Sequence, residues 1–216
     1  LKCVGIPKTV DNDLPYTDCS PGFGSVAKYI ATSTLEAGLD VKSMAETSTK
    51  VFILEVMGRH AGWIAAASCL AATKAGDPPH IILLPEVPFE KTKFITQVKQ
   101  TVKEQGYCVI VASEGTQTKN GKFLADSGLT DAFGHKQLGG VAPVLAGMIS
   151  KIGLKNHWAV ADYLQRSARH IASKTDLDQA YAVGEHAVKL AIAGKTALMP
   201  IIKRTSDSPY KWKIAT

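Results

Sequence analysis

Short apolar runs separated by helical patterns constrain the fold of this chain more than any other feature of its sequence. Runs rich in β-branched residues predict buried strands at Val51–Val56, His80–Leu84 and Tyr107–Ala112. Helical periodicity occurs before or after each of them, at 25–39, 62–75 and 90–104. Strands that alternate with helices are typical of a parallel sheet covered on both faces. The sequence therefore predicts an α/β fold, a three-layer α/β/α sandwich with a mainly parallel sheet.

The second half of the sequence contains shorter predicted elements. In chain order they are a loop or small hairpin over 116–134, a helix over 143–152 preceded by Gly139 and Gly140, a strand at 157–160, a helix over 177–193, and two strands at 196–203 and 210–214. Asp176 is the predicted N-cap of the last helix, because a carboxylate there can accept hydrogen bonds from the first free N–H groups.

The stretch at 4–14 concentrates groups that are suited to chemistry. Its apolar start predicts the end of a buried strand, which a glycine and a proline then interrupt. Thr9, Asp11 and Asp13 follow at a spacing of two, so an extended chain would place them on one face, with the carboxylates about 6–7 Å apart. Together with the ammonium of Lys8 they could hold a metal, a phosphate and an alcohol. The alternative is an ordinary turn, because Asp and Asn often bond their own backbone.

Charged residues also follow two of the predicted strands directly. Met57, Gly58 and Arg59 come after the strand at 51–56, and Glu114 comes just after the strand that ends at residue 112. Ligands of open α/β sheets bind at the carboxyl ends of the strands, where these residues would lie. Each motif alone has a simpler explanation. Arg59 could be a solvated surface charge, and Glu114 could belong to a turn.

Four short motifs in the same chain order give the sequence a family resemblance. They are Gly5-Ile6-Pro7-Lys8-Thr9-Val10-Asp11-Asn12-Asp13-Leu14, Met57-Gly58-Arg59, Ser113-Glu114-Gly115 and Tyr163-Leu164-Gln165-Arg166-Ser167. The first closely resembles the catalytic loop of the phosphofructokinase family, P-[KG]-T-[IV]-D-N-D, and the last resembles its phosphate-binding segment, G-[HY]-x-Q-R-G. The resemblance implies a phosphofructokinase-like fold. It also implies transfer of a phosphoryl group to the 1-hydroxyl of fructose 6-phosphate, a glycolytic step that gives fructose 1,6-bisphosphate.

The resemblance assigns the reacting groups to the first motif. Asp11 is the implied general base, Thr9 orients the reacting groups, and Asp13 helps to hold Mg²⁺ directly or through water. Lys8 stands where members that use pyrophosphate carry lysine and members that use ATP often carry glycine. Pyrophosphate lacks the binding contacts of adenosine, so an extra cation at the transferred phosphate is reasonable. Pyrophosphate is therefore the expected donor. ATP is the alternative, because some ATP-dependent relatives share the lysine.

The next two motifs supply implied contacts to the sugar phosphate. The loop of Met57, Gly58 and Arg59 contacts this ligand in the family. Gly58 would let the backbone come close to it, and Arg59 would oppose the phosphoryl charge during transfer. Glu114 is implied to accept hydrogen bonds from the sugar hydroxyls.

The last motif implies the grip on the 6-phosphate. Arg166 would bind it in a bidentate manner, and Tyr163 would donate from its hydroxyl. The sequence departs from the family here, because Ser167-Ala168 replaces the usual pair of glycines. Lys50 and His157 stand where many bacterial members carry arginines that reach the sugar phosphate across a subunit boundary. Lys50 could still act there as a point charge, whereas His157 is a poor substitute.

The resemblance also divides the chain. Residues 1–20 would be a remnant of a donor-binding domain with the catalytic loop, and 21–160 the sugar-phosphate-binding α/β domain. Residues 161–195 would return to the donor-binding domain, and 196–216 would form C-terminal strands. The chain begins inside an apolar run without a methionine, so we expect the N-terminal donor-binding part, with its glycine-rich loops, to be missing. A non-catalytic sugar-phosphate-binding subunit or fragment is therefore a further alternative.

Charge and cysteine content narrow the expected partners. The net charge of +6 favours anionic ligands, but the basic residues are spread along the chain rather than clustered with aromatics as in nucleic-acid binders. Four cysteines without metal-binding spacing predict mostly packed thiols in a reducing cytoplasm. No apolar run is long enough for a bilayer. The resemblance implies fructose 6-phosphate, pyrophosphate or ATP, and Mg²⁺ as ligands of a homo-oligomer, a dimer or tetramer, and the charge pattern and hydropathy predict no nucleic-acid or membrane partner.

Overall fold

The structure, a computed structural model, describes residues 1–130, 136–138 and 140–216. Its helices are α1 (Phe23–Met44), α2 (Trp63–Ala67), α3 (Lys91–Gln105), α4 (Val141–Ser150), α5 (Asp162–Ser167) and α6 (Lys174–Ile192). Its strands are β1 (Val51–Val56), β2 (Ile81–Leu83), β3 (Cys108–Ser113), β4 (Asp126–Thr130), β5 (Lys136–Leu138), β6 (Asn156–Val160), β7 (Ile201–Asp207) and β8 (Tyr210–Ala215).

A parallel sheet with the strand order β2-β3-β1-β6 lies at the centre of the described residues. Successive side chains of a strand point to opposite faces, and β1 shows this directly. Val51 and Ile53 belong to a core that they share with α3 and α4. Leu54 and Val56 belong to another core, shared with α1 and α2. Helices therefore cover both faces, and the predicted three-layer fold with a mainly parallel sheet is confirmed.

A buried carboxylate joins the sheet to α4. Glu55 of β1 is 1% exposed, and its two carboxylate oxygens accept hydrogen bonds from the backbone N–H groups of Gly140 at 3.0 Å and Ala142 at 2.8 Å. A negative charge is favourable at this end of a helix, because the first N–H groups have no partners within it. Glu55 therefore holds the start of α4 over the sheet.

Two antiparallel pairs lie outside the parallel sheet. β4 pairs with β5, which agrees with a small hairpin, although β5 begins beyond the predicted end of that segment. Residues 131–134 of that prediction, and the predicted helix-opening Gly139, lie outside the described residues. β7 pairs with β8.

The helix predicted over 62–75 is much shorter in the structure. α2 ends at Ala67 and continues as one 3-10 turn to Ala71. Beyond it, one carboxylate oxygen of Asp77 accepts hydrogen bonds from the backbone N–H groups of Thr73 and Lys74. A side chain that bonds nearby N–H groups offers the backbone an alternative to the helix. The prediction was wrong at this end because helical periodicity gives no information about hydrogen bonds between a side chain and the backbone.

The predicted N-cap of α6 is also wrong. Ser173 is the N-cap, and its hydroxyl accepts a hydrogen bond from the N–H group of Asp176. The buried carboxylate of Asp176 instead accepts hydrogen bonds from the backbone N–H groups of Gly22 at 2.7 Å and Ser25 at 3.3 Å, at the start of α1. One carboxylate on α6 thus caps α1, whose N-cap residue Gly22 lies 154 residues earlier in the chain.

The first apolar run is not a buried strand. Val4 makes an isolated parallel bridge with Leu198, while the residues before it are exposed. Hydrogen bonds from Gly5 N–H to Leu198 O and from Ala197 N–H to Cys3 O, both 2.8 Å, hold the two segments together. Because residues 197 and 198 are engaged in this pairing, β7 begins at Ile201 rather than at residue 196.

The cysteines are less packed than predicted. Cys108 is buried and Cys19 is half-buried, whereas Cys3 and Cys69 are exposed, and all four are free thiols. The apolar residues near Cys3 and Cys69 in sequence therefore do not bury these two side chains. Within the described residues, no helix has both the length and the apolar character that crossing a membrane requires.

His80 makes the stability of this fold dependent on pH. Its ring packs edge-on against Tyr107 at 4.9 Å, and its Nδ1 accepts a hydrogen bond from Val109 N–H at 2.9 Å. Burial lowers the pKa of His80 from its usual 6.5. The folded chain therefore holds a neutral ring at a pH where the unfolded chain already binds a proton.

We expect the free energy of unfolding to decrease as the pH falls from about 7.5 to about 5.5. Over this range the unfolded chain binds a proton at His80 more readily than the folded chain does, and proton binding therefore favours unfolding. The substitution His80→Asn keeps a hydrogen-bond acceptor but cannot titrate, so its loss of stability over this range should be smaller. Urea denaturation at several pH values measures both. If the free energy of unfolding changed equally with pH in the wild type and in His80→Asn, this role of His80 would be contradicted.

Candidate active site

A polar cleft of about 790 Å³ lies at the carboxyl edge of the parallel sheet. It brings together segments that are up to 158 residues apart in sequence. Its lining residues are Lys8, Thr9, Val10, Asp11, Pro21, Met57, Arg59, Glu114, Asp162, Tyr163 and Arg166. Most of the predicted site residues are therefore neighbours in space. Val10, Pro21 and Asp162 were not predicted to take part.

Hydrogen bonds lock the loops after β1 and β3 to each other. The N–H group of Gly58 donates to Glu114 Oε1 at 3.3 Å, and the hydroxyl of Ser113 donates to Gly58 O. Gly115 lies so close that a Cβ atom there would be 2.0 Å from Arg59 O. Only glycine permits this approach. The two motifs therefore form one rigid floor, in which Glu114 and Arg59 are fixed together.

The catalytic-loop motif is turned rather than extended. Thr9 has a φ of 140° and Asn12 a φ of 57°, and the chain forms a turn at Val10 and Asp11. Such values are uncommon for residues other than glycine, and for a β-branched threonine they indicate local strain. Asp11 consequently lines the cleft, whereas Asp13 is exposed and is not among the lining residues. The extended conformation that would place both carboxylates on one face is therefore not formed.

The environment of Asp11 suits a proton acceptor. Burial raises the pKa of Asp11 above its usual 3.8, and the negative charge of Asp13 raises it further, while Arg59 and Lys8 oppose the shift. Efficient general bases have pKa values that are raised towards the working pH. The backbone N–H of Asp11 also donates to Thr9 Oγ1 at 3.3 Å. The backbone of Asp11 is therefore fixed by its own loop, and the raised pKa of its carboxyl is compatible with accepting a proton.

Glu114 lines the same cleft as Asp11, but different groups surround its carboxylate. Burial raises the pKa of Glu114, while its hydrogen bond from Gly58 lowers it and the charge of Asp11 raises it. Two carboxylates and the guanidinium of Arg59 thus interact within one cleft. The Nε atom of Arg59 is buried without a hydrogen-bond partner among the described residues. Buried donors normally have an acceptor, so this part of the cleft is suited to an anionic ligand.

The opposite wall is formed by α5. Tyr163 and Arg166 lie on this short helix, and the guanidinium carbon of Arg166 is 4.1 Å from the centre of the Tyr163 ring. Stacking on an aromatic ring orients the planar guanidinium without neutralising its charge. Both side chains are exposed to the cleft. They can therefore reach an anion that enters from solvent.

Lys50 is not part of this cleft. It precedes β1 at the amino edge of the sheet, whereas Met57 and Arg59 follow β1 at the carboxyl edge. Its ammonium donates to Ala45 O at 2.5 Å. His157 lies beside Phe52 in the register of β6 and β1, also towards the amino edge. Within one chain, therefore, neither side chain joins the residues of the cleft, and a role for Lys50 across a subunit boundary stays a prediction.

The acidic residues are compatible with Mg²⁺ under one condition. No group of three or more His, Cys, Asp or Glu side chains in the described part of the chain is placed to hold a metal ion. Mg²⁺, however, is often held by one or two carboxylates together with phosphate oxygens of the substrate. Asp11 and Asp13 interact closely enough for one to raise the pKa of the other. These two residues fit a magnesium ion that is bound largely through phosphate.

This combination of fold and site defines a class of protein. A parallel sheet with helices on both faces places Asp11, whose pKa burial raises, among arginine and lysine side chains at the edge where ligands of such sheets bind. The chain belongs to the phosphofructokinase family, because the family model described as Phosphofructokinase matches residues 1–191.

Individual relatives agree closely with this chain over half their length. It is 67% identical over 215 residues to pyrophosphate–fructose 6-phosphate 1-phosphotransferase of Halomonas elongata and 60% identical to the protein of that name from Methylococcus capsulatus. In both cases 99% of this chain and 51% of the relative are covered, so the chain spans about half the length of the curated relatives it matches. A crystal structure of pyrophosphate-dependent phosphofructokinase from Marinobacter aquaeolei is similar to it with a TM-score of 0.87 and 62% identity, covering 100% of this chain and 50% of that one.

Proposed function

We propose that this chain carries the sugar-phosphate site and the general base of an enzyme that transfers a phosphoryl group from pyrophosphate to the 1-hydroxyl of fructose 6-phosphate. The observation that carries the proposal is the single cleft shared by Asp11, Arg59, Glu114 and Arg166. The names of the relatives that are 60–67% identical support the choice of reaction.

Asp11 accepts the proton of the 1-hydroxyl as that oxygen bonds to the transferred phosphorus, while the bridging P–O bond of pyrophosphate breaks and inorganic phosphate leaves. Its raised pKa and its place in the cleft support this role. Thr9 keeps the loop in the conformation that presents Asp11, since its hydroxyl accepts the Asp11 N–H. Phosphoryl transfer depends on positioning and charge neutralisation more than on covalent catalysis. The strained Thr9 backbone is therefore part of how the base is held in place.

The sugar phosphate spans the cleft from α5 to the floor. Arg166 and Tyr163 bind its 6-phosphate, through the guanidinium fork and the phenolic hydroxyl. Glu114 accepts hydrogen bonds from sugar hydroxyls. Met57 and Gly58 lie beneath the ligand, where the backbone at Gly58 is held by Ser113 and Glu114.

Arg59 and Lys8 neutralise charge on the transferred group. Both side chains line the cleft beside Asp11 and both lower its pKa, which means that their charges act at the reacting centre. A phosphoryl oxygen would supply an acceptor for the buried Nε atom of Arg59. When bound, Mg²⁺ would neutralise phosphate charge, held by Asp13 and Asp11 with phosphate oxygens.

The remaining assignments belong to the same proposal. Residues 1–20 and 161–195 belong to the donor-binding domain, from which α5 contributes Tyr163 and Arg166 to the sugar-phosphate site. Residues 21–160 form the sugar-phosphate-binding domain, and the strands at 196–216 follow. Lys50 reaches the sugar phosphate of a second copy in a dimer or tetramer, and the enzyme works in the cytoplasm. The amino-edge position of Lys50 supports a role outside its own cleft.

A coupled assay of the complete gene product that contains these residues tests the reaction and its donor. With fructose 6-phosphate and Mg²⁺ we expect kcat/KM to be at least about 100-fold higher with pyrophosphate than with ATP, because Lys8 offers a cation where adenosine contacts are not needed. Higher activity with ATP would reassign the donor. Tight sugar-phosphate binding without turnover on either donor would favour the non-catalytic alternative.

A further inference from the structure

A buried glutamine ties the phosphate-binding helix to the floor of the cleft. Gln165 lies on α5 between Tyr163 and Arg166, and it is 1% exposed. Its Oε1 accepts a hydrogen bond from the backbone N–H of Met57 at 3.3 Å. Its Nε2 donates to the backbone carbonyl of Asp162 at 2.9 Å. The side chain therefore joins the first turn of α5 to the residue that follows β1.

The orientation of this amide is fixed by its partners. A backbone N–H can only donate and a carbonyl can only accept, so the Gln165 oxygen must face Met57 and its nitrogen must face Asp162. In a site buried to this degree, losing either bond leaves a polar group without a partner, which is costly. No apolar side chain could replace both bonds.

The short helix depends on this link for its position. α5 has six residues, and a helix of this length is not stable in isolation. A further bond, from Ala161 N–H to Glu55 O at 2.9 Å, fixes the chain just before it. Gln165 fixes the helix itself. It therefore sets the distance between two places in the cleft. One is the pair Tyr163 and Arg166, which is proposed to bind the 6-phosphate, and the other is the end that contains Asp11.

We propose that Gln165 is a positioning residue that determines the affinity for the sugar phosphate and the alignment of its 1-hydroxyl with Asp11. The proposal rests on the function given above for this cleft. It does not require Gln165 to touch the ligand, since its two hydrogen bonds are to the backbone. We expect its effect on the sugar-phosphate side, because Met57 and the α5 residues Tyr163 and Arg166 are the groups proposed to contact that ligand.

The test is a comparison of Gln165→Met with Gln179→Met in the complete gene product. Methionine has a similar size and removes both hydrogen bonds. Gln179 is a matched control, since it is 2% exposed and also makes two side-chain bonds, to Tyr210 and Cys19, outside the cleft. Melting temperatures of both variants show whether the two losses cost similar stability.

We expect Gln165→Met to raise the KM for fructose 6-phosphate about tenfold and the KM for pyrophosphate less than about twofold, because only the sugar-phosphate wall moves. Gln179→Met should change neither constant by more than about twofold. Should Gln165→Met fail to fold, Gln165→Glu keeps an acceptor for Met57 N–H and loses the donor to Asp162, and the same split between the two KM values is expected.

Two outcomes overturn the proposal. One is an unchanged KM for fructose 6-phosphate in a folded Gln165 variant, and the other is an equal rise in both KM values. A wild-type protein that transfers no phosphoryl group would instead refute the proposed function. In that case, isothermal calorimetry with fructose 6-phosphate still tests Gln165 by the same tenfold loss of affinity.

Discussion

The substitution Asp11→Asn is expected to lower kcat by about 10³-fold while fructose 6-phosphate still binds with nearly its original affinity. Asparagine keeps the size of the side chain but cannot accept the proton of the 1-hydroxyl, and a positioned base commonly contributes a factor of this order. Steady-state kinetics with pyrophosphate give the loss in kcat. Calorimetric titration with fructose 6-phosphate gives the affinity.

The stability of this variant provides a second readout. A carboxylate whose pKa is raised by folding destabilises the fold at pH values above that pKa, because the folded state disfavours the charged form. Burial and Asp13 raise the pKa of Asp11, so Asp11→Asn should melt at the same or a higher temperature than the wild type at pH 7. The exposed Asp40 on α1 offers a control, since Asp40→Asn should leave kcat unchanged. Full activity of Asp11→Asn would contradict the role given to this carboxylate.

The substitution Arg59→Ala is expected to lower kcat by about 10²–10³-fold. The guanidinium lies in the cleft with Asp11, where we propose that it opposes the negative charge on the transferred phosphoryl group. Removal of one such preorganised donor typically costs this factor. Rapid-quench or steady-state kinetics at saturating substrates measure the effect. The KM for fructose 6-phosphate should change less than kcat, because in the proposed mechanism Arg166 and Tyr163 hold the 6-phosphate.

A nearby arginine separates this local effect from the net charge of the protein. Arg169 follows α5 and is exposed, but it is not among the residues that line the cleft. Arg169→Ala removes the same charge, and we expect kcat to stay within about twofold of the wild type. If both arginine variants lost activity equally, the effect would come from long-range electrostatics rather than from contact at Arg59.

The positions of the motifs at the ends of strands were predictable because they depend only on the neighbouring sequence. Met57–Arg59 and Ser113–Gly115 each follow an apolar run directly, so their place at the carboxyl edge follows from strand direction alone. The catalytic loop was predictable in composition but not in shape. The strained backbone at Thr9 and Asn12 makes this segment turned rather than extended, and a spacing of two residues cannot reveal such a turn.

The sequence by itself determined the layered α/β architecture and the residue types that meet at the cleft. Apolar periodicity predicts which segments are buried, and the polar residues that directly follow the buried strands are the ones that lie at the carboxyl edge of the sheet. Only the tertiary structure decided where the carboxylates and the buried amide bind. Glu55 bonds to the N–H of Gly140, 85 residues later, Asp176 bonds to the N–H of Gly22, 154 residues earlier, and Gln165 bonds to the N–H of a residue 108 positions away. Hydrogen bonds of this kind depend on the distance between packed segments, and periodicity along a chain carries no information about that distance.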